Sequence, residues 1–413
     1  MEPNPFVGVI FHWIGGFCSA TNFIPFRQIK RWSWEVYWII QGFAAWIIAP
    51  TVLACIFIPH PFAILRAVYA THPHDVFYAF LFGVLWGVGG ITFGLAIRYL
   101  GIALGYAIAL GLCAFFGTLV PPFVNRIPPA NHREIVGLIH QTGGQVILLG
   151  VLVCLIGVAV NGAAGYSKEQ EITPEEKLEA GERDYNFPKG IAIAILAGFM
   201  SSFFAFGLAA GNPIGDLTAS NLVAAGLGGR LVLKDLPILI VVLWGGFLTN
   251  FIWSAILIFQ NGSIRQFAGQ PGINPMRAAH TSGDTLVDFD PLDPSTYDRL
   301  SPATLVANYI FAALAGVIWY FQFFFYSMGT TKMGKYDFSS WTLHMASIII
   351  FATLWGLVLR EWKGTSMRTK VLVTCGLALL VGSTVIVGWG NYLQSPQAAH
   401  GSALLHLPLL LGH

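Results

Sequence analysis

Ten stretches of about twenty consecutive apolar residues run through this chain, at 6–26, 36–58, 76–97, 101–124, 143–162, 189–210, 236–259, 303–327, 337–359 and 370–391. Each is long enough to cross a hydrocarbon layer of roughly 30 Å as a helix. The runs are continuously apolar rather than alternating, which excludes the strands of a membrane barrel. Lipid admits only helices or closed barrels, because every backbone N–H and C=O must find its partner inside the protein. Composition agrees: 55% of the residues are hydrophobic and 10% charged, against roughly 25% charged in water-soluble domains. The expected fold is therefore an all-α integral membrane protein with ten transmembrane helices. Glu2 precedes the first run and Arg27, Lys30 and Arg31 follow it, the reverse of a cleaved leader, so this span is expected to stay in the mature chain.

A net charge of +2 leaves no broad basic surface for nucleic acid. Lys and Arg nevertheless fall unevenly. Fifteen of the 22, counting Lys189 and Lys370 at the first position of a span, lie in the connections after spans one, three, five, seven and nine, which the positive-inside rule assigns to the cytoplasm, leaving both termini on the periplasmic side. Two connections are long. Residues 163–188 hold seven acidic side chains, and Thr173, Pro174 and Glu176 have the spacing of a helix start, so a solvated linker with a short surface helix is expected. The loop at 261–302 is rich in Asp but lacks the spacing of a calcium loop. The five cysteines sit within apolar runs without a C-x-x-C pair, which reads as packing rather than metal binding.

The two halves of the chain resemble each other. Residues 8–20 read GVIFHWIGGFCSA and residues 190–202 read GIAIAILAGFMSS, so that Gly8, Gly16, Phe17 and Ser19 align with Gly190, Gly198, Phe199 and Ser201. The junctions at 100–105 and 328–334 each place an apolar residue, a Gly, a short gap and a second Gly. Five spans per half is an odd number, so the second copy enters the membrane upside down. The expected units are residues 1–162 and 189–392, an acidic linker at 163–188 between them and a tail at 393–413. Inverted repeats of this kind are typical of secondary transporters, whose substrate sites lie near the midplane between the halves.

No Asp or Glu lies deep in any span, so neutral polar groups carry the chemistry. Leaving one of them unpaired in hydrocarbon costs about 2–7 kcal/mol. His12, Gly16, Ser19 and Phe23 share a face of span one; Trp319, Gln322 and Tyr326 share a face of span eight; Asp337, Trp341 and His344 share a face of span nine. Gly83, Gly87, Gly90 and Gly94 make a groove along span three, and Gln41 and Asn250 are isolated amides. Aromatic rings interleaved with amides and imidazoles suit a neutral, hydroxyl-rich ligand such as a sugar. An anionic solute would call for a mid-span cation, whereas Arg98 and Arg360 lie at span ends and read as interface anchors. His12, His344 and the end-of-span acids Glu35 and Asp337 are the groups able to carry a coupling proton. The segment GTTKMGK at 329–335 has the spacing of a phosphate-binding loop, but no strand precedes it and Tyr336 stands where Ser or Thr is required; it reads as a tight turn between two spans. With no other catalytic motif, the chain is not expected to be an enzyme.

Several segments together give the sequence a family likeness: WSWE at 32–35, LWGVGG and GLAIRYLG within 85–101, GTLVPP at 117–122, LLGVLVCLIGV at 148–158, WYFQFFFYSMG at 319–329, YDFSSWTLHM at 336–345 and GLVLREW at 356–362. In these the chain resembles the bacterial L-rhamnose/proton symporter family of the drug/metabolite transporter superfamily, over nearly its whole length. The resemblance implies a ten-helix bundle of inverted five-helix repeats in the bacterial inner membrane, importing L-rhamnose or a related monosaccharide with protons and without a cofactor. It also points to His12, Trp86, Asn250, Gln322, Tyr326, Asp337, Trp341 and His344 as matching positions, to which the stripe on span eight adds Trp319. The substrate set is then His12, Trp86, Asn250, Trp319, Gln322, Tyr326, Trp341 and His344, with His12, Asp337 and His344 for proton coupling. A long 261–302 loop, the tail after Tyr392 and VGGITFG in the groove depart from the family pattern. Sodium coupling, with backbone carbonyls as ligands, and a sugar sensor that keeps the carrier fold are the competing readings.

Overall fold

The computed structural model describes residues 3–100, 102–119, 139–171, 187–272, 298–334, 339–360 and 362–395, and among these every regular element is a helix. In chain order they are α1 (Pro5–Thr21), α2 (Phe23–Phe26), α3 (Trp34–Gly42), a π-helical turn (Phe43–Ile48), α4 (Ala49–Phe57), α5 (Pro61–Thr71), α6 (Pro73–Leu100), α7 (Ile102–Leu119), α8 (Thr142–Glu171), α9 (Phe187–Ala210), α10 (Asn212–Ala224), α11 (Leu236–Asn261), α12 (Pro302–Met333), α13 (Ser340–Val358) and α14 (Met367–Leu393). Among the described residues, nine spans are long and apolar enough to cross a bilayer, and α7 contributes a shorter apolar stretch at Ile108–Thr118. The chain is a multi-pass membrane protein of about ten helices.

Local chemistry sets several of these boundaries. The Asn4 side chain accepts from Val7 N, Ser301 Oγ accepts from Thr304 N and Ser366 Oγ accepts from Thr369 N, each satisfying an orphan donor at a helix start. Span two is interrupted because Pro50 brings no N–H and its ring crowds the carbonyl four residues back. The backbone widens to compensate, and Ala49 N–H bonds Ala44 O five residues earlier. Glu171 anchors the start of α14: Ser366 Oγ, Thr369 Oγ1 and Ser366 N–H all donate to its carboxylate, at 2.6, 2.6 and 2.7 Å. Those bonds, led by the Ser366 hydroxyl, pull its pKa from 4.5 down to about 2.

The strongest helix pairs share a pattern: they are exchanged when each span is replaced by the one five places later. α1 packs on α12 and α13, and its counterpart α9 packs on α6 and α7; α3 packs on α12, and α11 on α6. The pairs α3–α11, α7–α13 and α8–α14 map onto themselves. The repeated glycines make the same approaches in both halves. Gly8 lies against Met333 and Gly190 against Leu100, at the ends of the counterpart helices α12 and α6. Gly16 meets Ser347 on α13, and Gly198 meets Leu112 and Ala109 on α7. Phe17 and Phe199 are both turned outward. Small residues are retained where backbones touch, which is how membrane helices gain close packing.

Several features differ from the sequence expectation. Span one breaks at Asn22, span two contains the π-turn, and α5 and α10 are additional short helices. The segment at 329–335 is not a tight turn as a whole: α12 continues through Met333, and the chain turns at Gly334, whose φ is +78°. α8 runs on to Glu171, so the first part of the acidic linker is helical; its expected surface helix and the Asp-rich part of the 261–302 loop lie outside the described residues.

Candidate functional site

The faces singled out on spans one, eight and nine meet in the interior. His12 and His344 are fully buried, as are Gln322, Tyr326 and Trp341 to within 4%. The two imidazoles lie 6.4 Å apart between centroids, and the Tyr326 ring stands against both, at 5.4 Å from His12 and 5.1 Å from His344. Trp341 completes the group, 5.5 Å from Tyr326 and 6.2 Å from His344.

Glycines seat these side chains. A Cβ on Gly329 would come within 2.7 Å of the His12 ring, and one on Gly15 within 2.9 Å of the Gln322 carbonyl and 3.4 Å of the His344 ring. Gly117 leaves room for the Trp341 indole, whose Nε1–H donates to Cys113 O at 3.0 Å. Trp341 is therefore fixed in place and offers its ring face, with its polar handle already engaged. The histidines are different. Both nitrogens of His12, both nitrogens of His344 and the amide nitrogen of Gln322 have no hydrogen-bond partner among the described residues. Buried groups of this kind normally find partners, so two neighbouring imidazoles with all four nitrogens open mark a candidate place for a ligand that supplies them.

An aromatic wall extends from this group. Phe204 stacks on Trp341 at 5.7 Å and on Phe323 at 4.2 Å. Beyond them Trp86 and Trp319 stack at 5.8 Å, and Trp46 stands edge-on to Trp319 at 5.2 Å and to Trp86 at 6.1 Å. Asn250 sits at the far end of the array, away from the histidines, accepting from Trp38 Nε1 and donating to Gly246 O. Both ends of its amide are thus occupied within the helix packing. Of the residues named from the sequence, the structure gathers His12, Gln322, Tyr326, Trp341 and His344, places Trp86 and Trp319 in the adjoining wall, and sets Asn250 apart. Asp337 lies outside the described residues, as does the side chain of Arg98.

The groove on α6 divides in two. Gly83 and Gly87 are filled by the α11 backbone, whereas a Cβ on Gly90 or Gly94 would meet nothing within 4 Å. Sequence reasoning missed Trp46, Phe204 and Phe323 as wall residues. It noted Gln41 only as an isolated amide. Gln41 is fully buried with both amide atoms unpaired among the described residues. The signal for Trp46 was present in Pro50, which forces the π-turn that carries it, and such turns gather at functional sites.

Among the described residues no group of three His, Cys, Asp or Glu could hold a metal ion. Comparison with known sequences matches residues 1–268 and 295–392 to the family described as L-rhamnose-proton symport protein (RhaT). An L-rhamnose-proton symporter of Salmonella gallinarum (strain 287/91 / NCTC 13346) is 32% identical over 387 residues, covering 93% of this chain and 97% of that protein. One from Klebsiella pneumoniae (strain 342) matches at the same identity and coverage. With a match of this extent across both halves, the chain belongs to the L-rhamnose-proton symport protein family.

Proposed function

We propose that this protein is a secondary active transporter of the bacterial inner membrane that imports L-rhamnose, or a closely related monosaccharide, together with protons. The observation that carries this reading is the pairing of His12 and His344, buried with all four nitrogens unpaired among the described residues, against the Tyr326 ring, with Trp341 beside it and with Gln322, also buried and unpaired at its amide nitrogen, one helical turn before Tyr326 on α12. A sugar supplies what such a site lacks: hydroxyls for the imidazoles and the amide, and an apolar ring face for the indole and phenol. Trp86 and Trp319 extend the apolar wall; Asn250 acts from behind it, through Trp38.

His12 and His344 are the proton carriers in this account, with Asp337 seven residues before His344 in the sequence. Two cations 6.4 Å apart would repel by about 3 kcal/mol at an effective dielectric of ~20. The pair therefore holds one proton at a time, and a bound hydroxyl between the rings ties its arrival to substrate. Residues 1–162 and 189–392 are read as the two halves that rock about this site, joined by 163–188, with both termini periplasmic. The exchange of helix contacts between the halves supports that reading.

Counterflow in proteoliposomes tests the substrate assignment. L-Rhamnose trapped inside should drive entry of labelled L-rhamnose and compete with other deoxyhexoses; exchange of amino acids or organic cations with none of sugar would overturn it.

A further inference from the structure

A cleft of about 530 Å³ opens between the end of α13 and the start of α14, its first lining residue, Leu357, roughly 20 Å along α13 from His344. Leu357, Val373 and Leu377 give it apolar walls, and Arg360, Lys363 and Lys370 line it with charge. The three cations are exposed, whereas Val373 is buried, so charge lies outermost. Trp362 is part of the lining, with Lys168 Nζ from the end of α8 5.0 Å from its ring centroid. Residues 360–370 contain four Lys or Arg against the single acid Glu361. Glu171, the carboxylate that α8 brings to this corner, is engaged by Ser366 and Thr369 and neutralises none of the three lining cations by an ion pair among the described residues.

The turn sets the backbone course on which the cations stand. Arg360 adopts φ +61° and Gly364 φ +87°, a left-handed pair that reverses the chain between the two spans. Exposed apolar residues, Leu354, Val358, Met367 and Val371, flank the cleft on both helices. Such residues mark the hydrocarbon boundary of a membrane span, which puts the cations at headgroup level.

We propose that this cleft binds an anionic phospholipid, its phosphate among Arg360, Lys363 and Lys370 and the top of an acyl chain along Leu357, Val373 and Leu377. Charge complementarity demands an anion, and apolar walls continuous with the membrane-facing surface demand one that carries a hydrocarbon chain. The site is independent of the sugar site and of the coupling ion.

The test uses the full chain, purified and delipidated in detergent, titrated with phosphatidylglycerol, phosphatidylcholine or inorganic phosphate, while thermal unfolding is followed and retained lipid is counted by native mass spectrometry. Phosphatidylglycerol should raise Tm by about 3–5 °C, with phosphatidylcholine and inorganic phosphate giving no shift. The triple variant Arg360→Gln/Lys363→Gln/Lys370→Gln should lose that rise and retain one fewer phosphatidylglycerol per chain. Should the triple variant fail to fold, Lys363→Gln and Lys370→Gln singly, both at exposed positions, should each weaken binding by about tenfold. An equal shift with phosphatidylcholine or with phosphate, or lipid retention unchanged in the variants, overturns the proposal.

Discussion

His12 on α1 and His344 on α13 lie 6.4 Å apart with the Tyr326 ring against both, and all four imidazole nitrogens are unpaired among the described residues. If this pair carries the coupling proton, replacing one member by a neutral amide should separate exchange from accumulation. His344→Gln is expected to keep rhamnose counterflow and to lose uptake driven by an inward proton gradient. Proteoliposome assays of the two modes side by side check this, and gradient-driven accumulation at the wild-type level in the variant counts against it.

Gly329 gives the His12 ring its seat. Gly329→Ala places a methyl 2.7 Å from that ring, which the imidazole can escape only by rotating out of the group. Transport should fall by about tenfold or more, equivalent to at least roughly 1.4 kcal/mol of misplaced contact, while thermal stability changes little. A variant that transports normally removes His12 from the site.

The glycine groove on α6 offers an internal contrast. A methyl at Gly83 overlaps the Val242 carbonyl, whereas one at Gly90 meets open space. Gly83→Ala should destabilise the protein by about 1–3 kcal/mol through overpacking. Gly90→Ala should be neutral or stabilising by up to about 1 kcal/mol, since alanine favours a helix interior. Thermal unfolding in detergent separates the two, and equal losses would show that α6 and α11 do not pack as described.

Glu171 ties α8 to α14 and gives stability a pH dependence. Its folded pKa of about 2 lies below the ordinary 4.5, so its contribution is present in full above pH 4.5 and is lost as pH falls toward 2. The Tm difference between wild type and Glu171→Gln should therefore be largest near neutrality and shrink below about pH 4. A difference that is constant with pH would contradict the anchoring by Ser366 and Thr369.

Much of this architecture was legible in the sequence because the bilayer imposes a coarse, local rule. Span count follows from apolar length, and the faces of α1, α12 and α13 follow from helical spacing. Periodicity states which residues share a face but not what that face meets. Asn250 illustrates the limit: spacing names the amide, but only tertiary packing shows that it accepts from Trp38 and donates to Gly246 O. Trp46 and Phe204 were lost among the many aromatic residues of the spans, and only tertiary packing places them beside Trp86 and Trp341. α5 and α10 escaped notice because, at 11 and 13 residues, each is too short to cross a bilayer and so leaves no span-length apolar run. Asp337 was nameable from its spacing alone, and its place relative to His344 is not among the described residues.

The central claim is that sugar and proton enter together through the His12–His344 pair. Its most direct test is the external pH of weakly buffered proteoliposomes on addition of L-rhamnose, with sodium absent. The account predicts a rhamnose-dependent alkalinisation that disappears with a protonophore and in His344→Gln, although counterflow persists in that variant. Rhamnose entry without any change in pH, or alkalinisation that survives loss of His344, would contradict it.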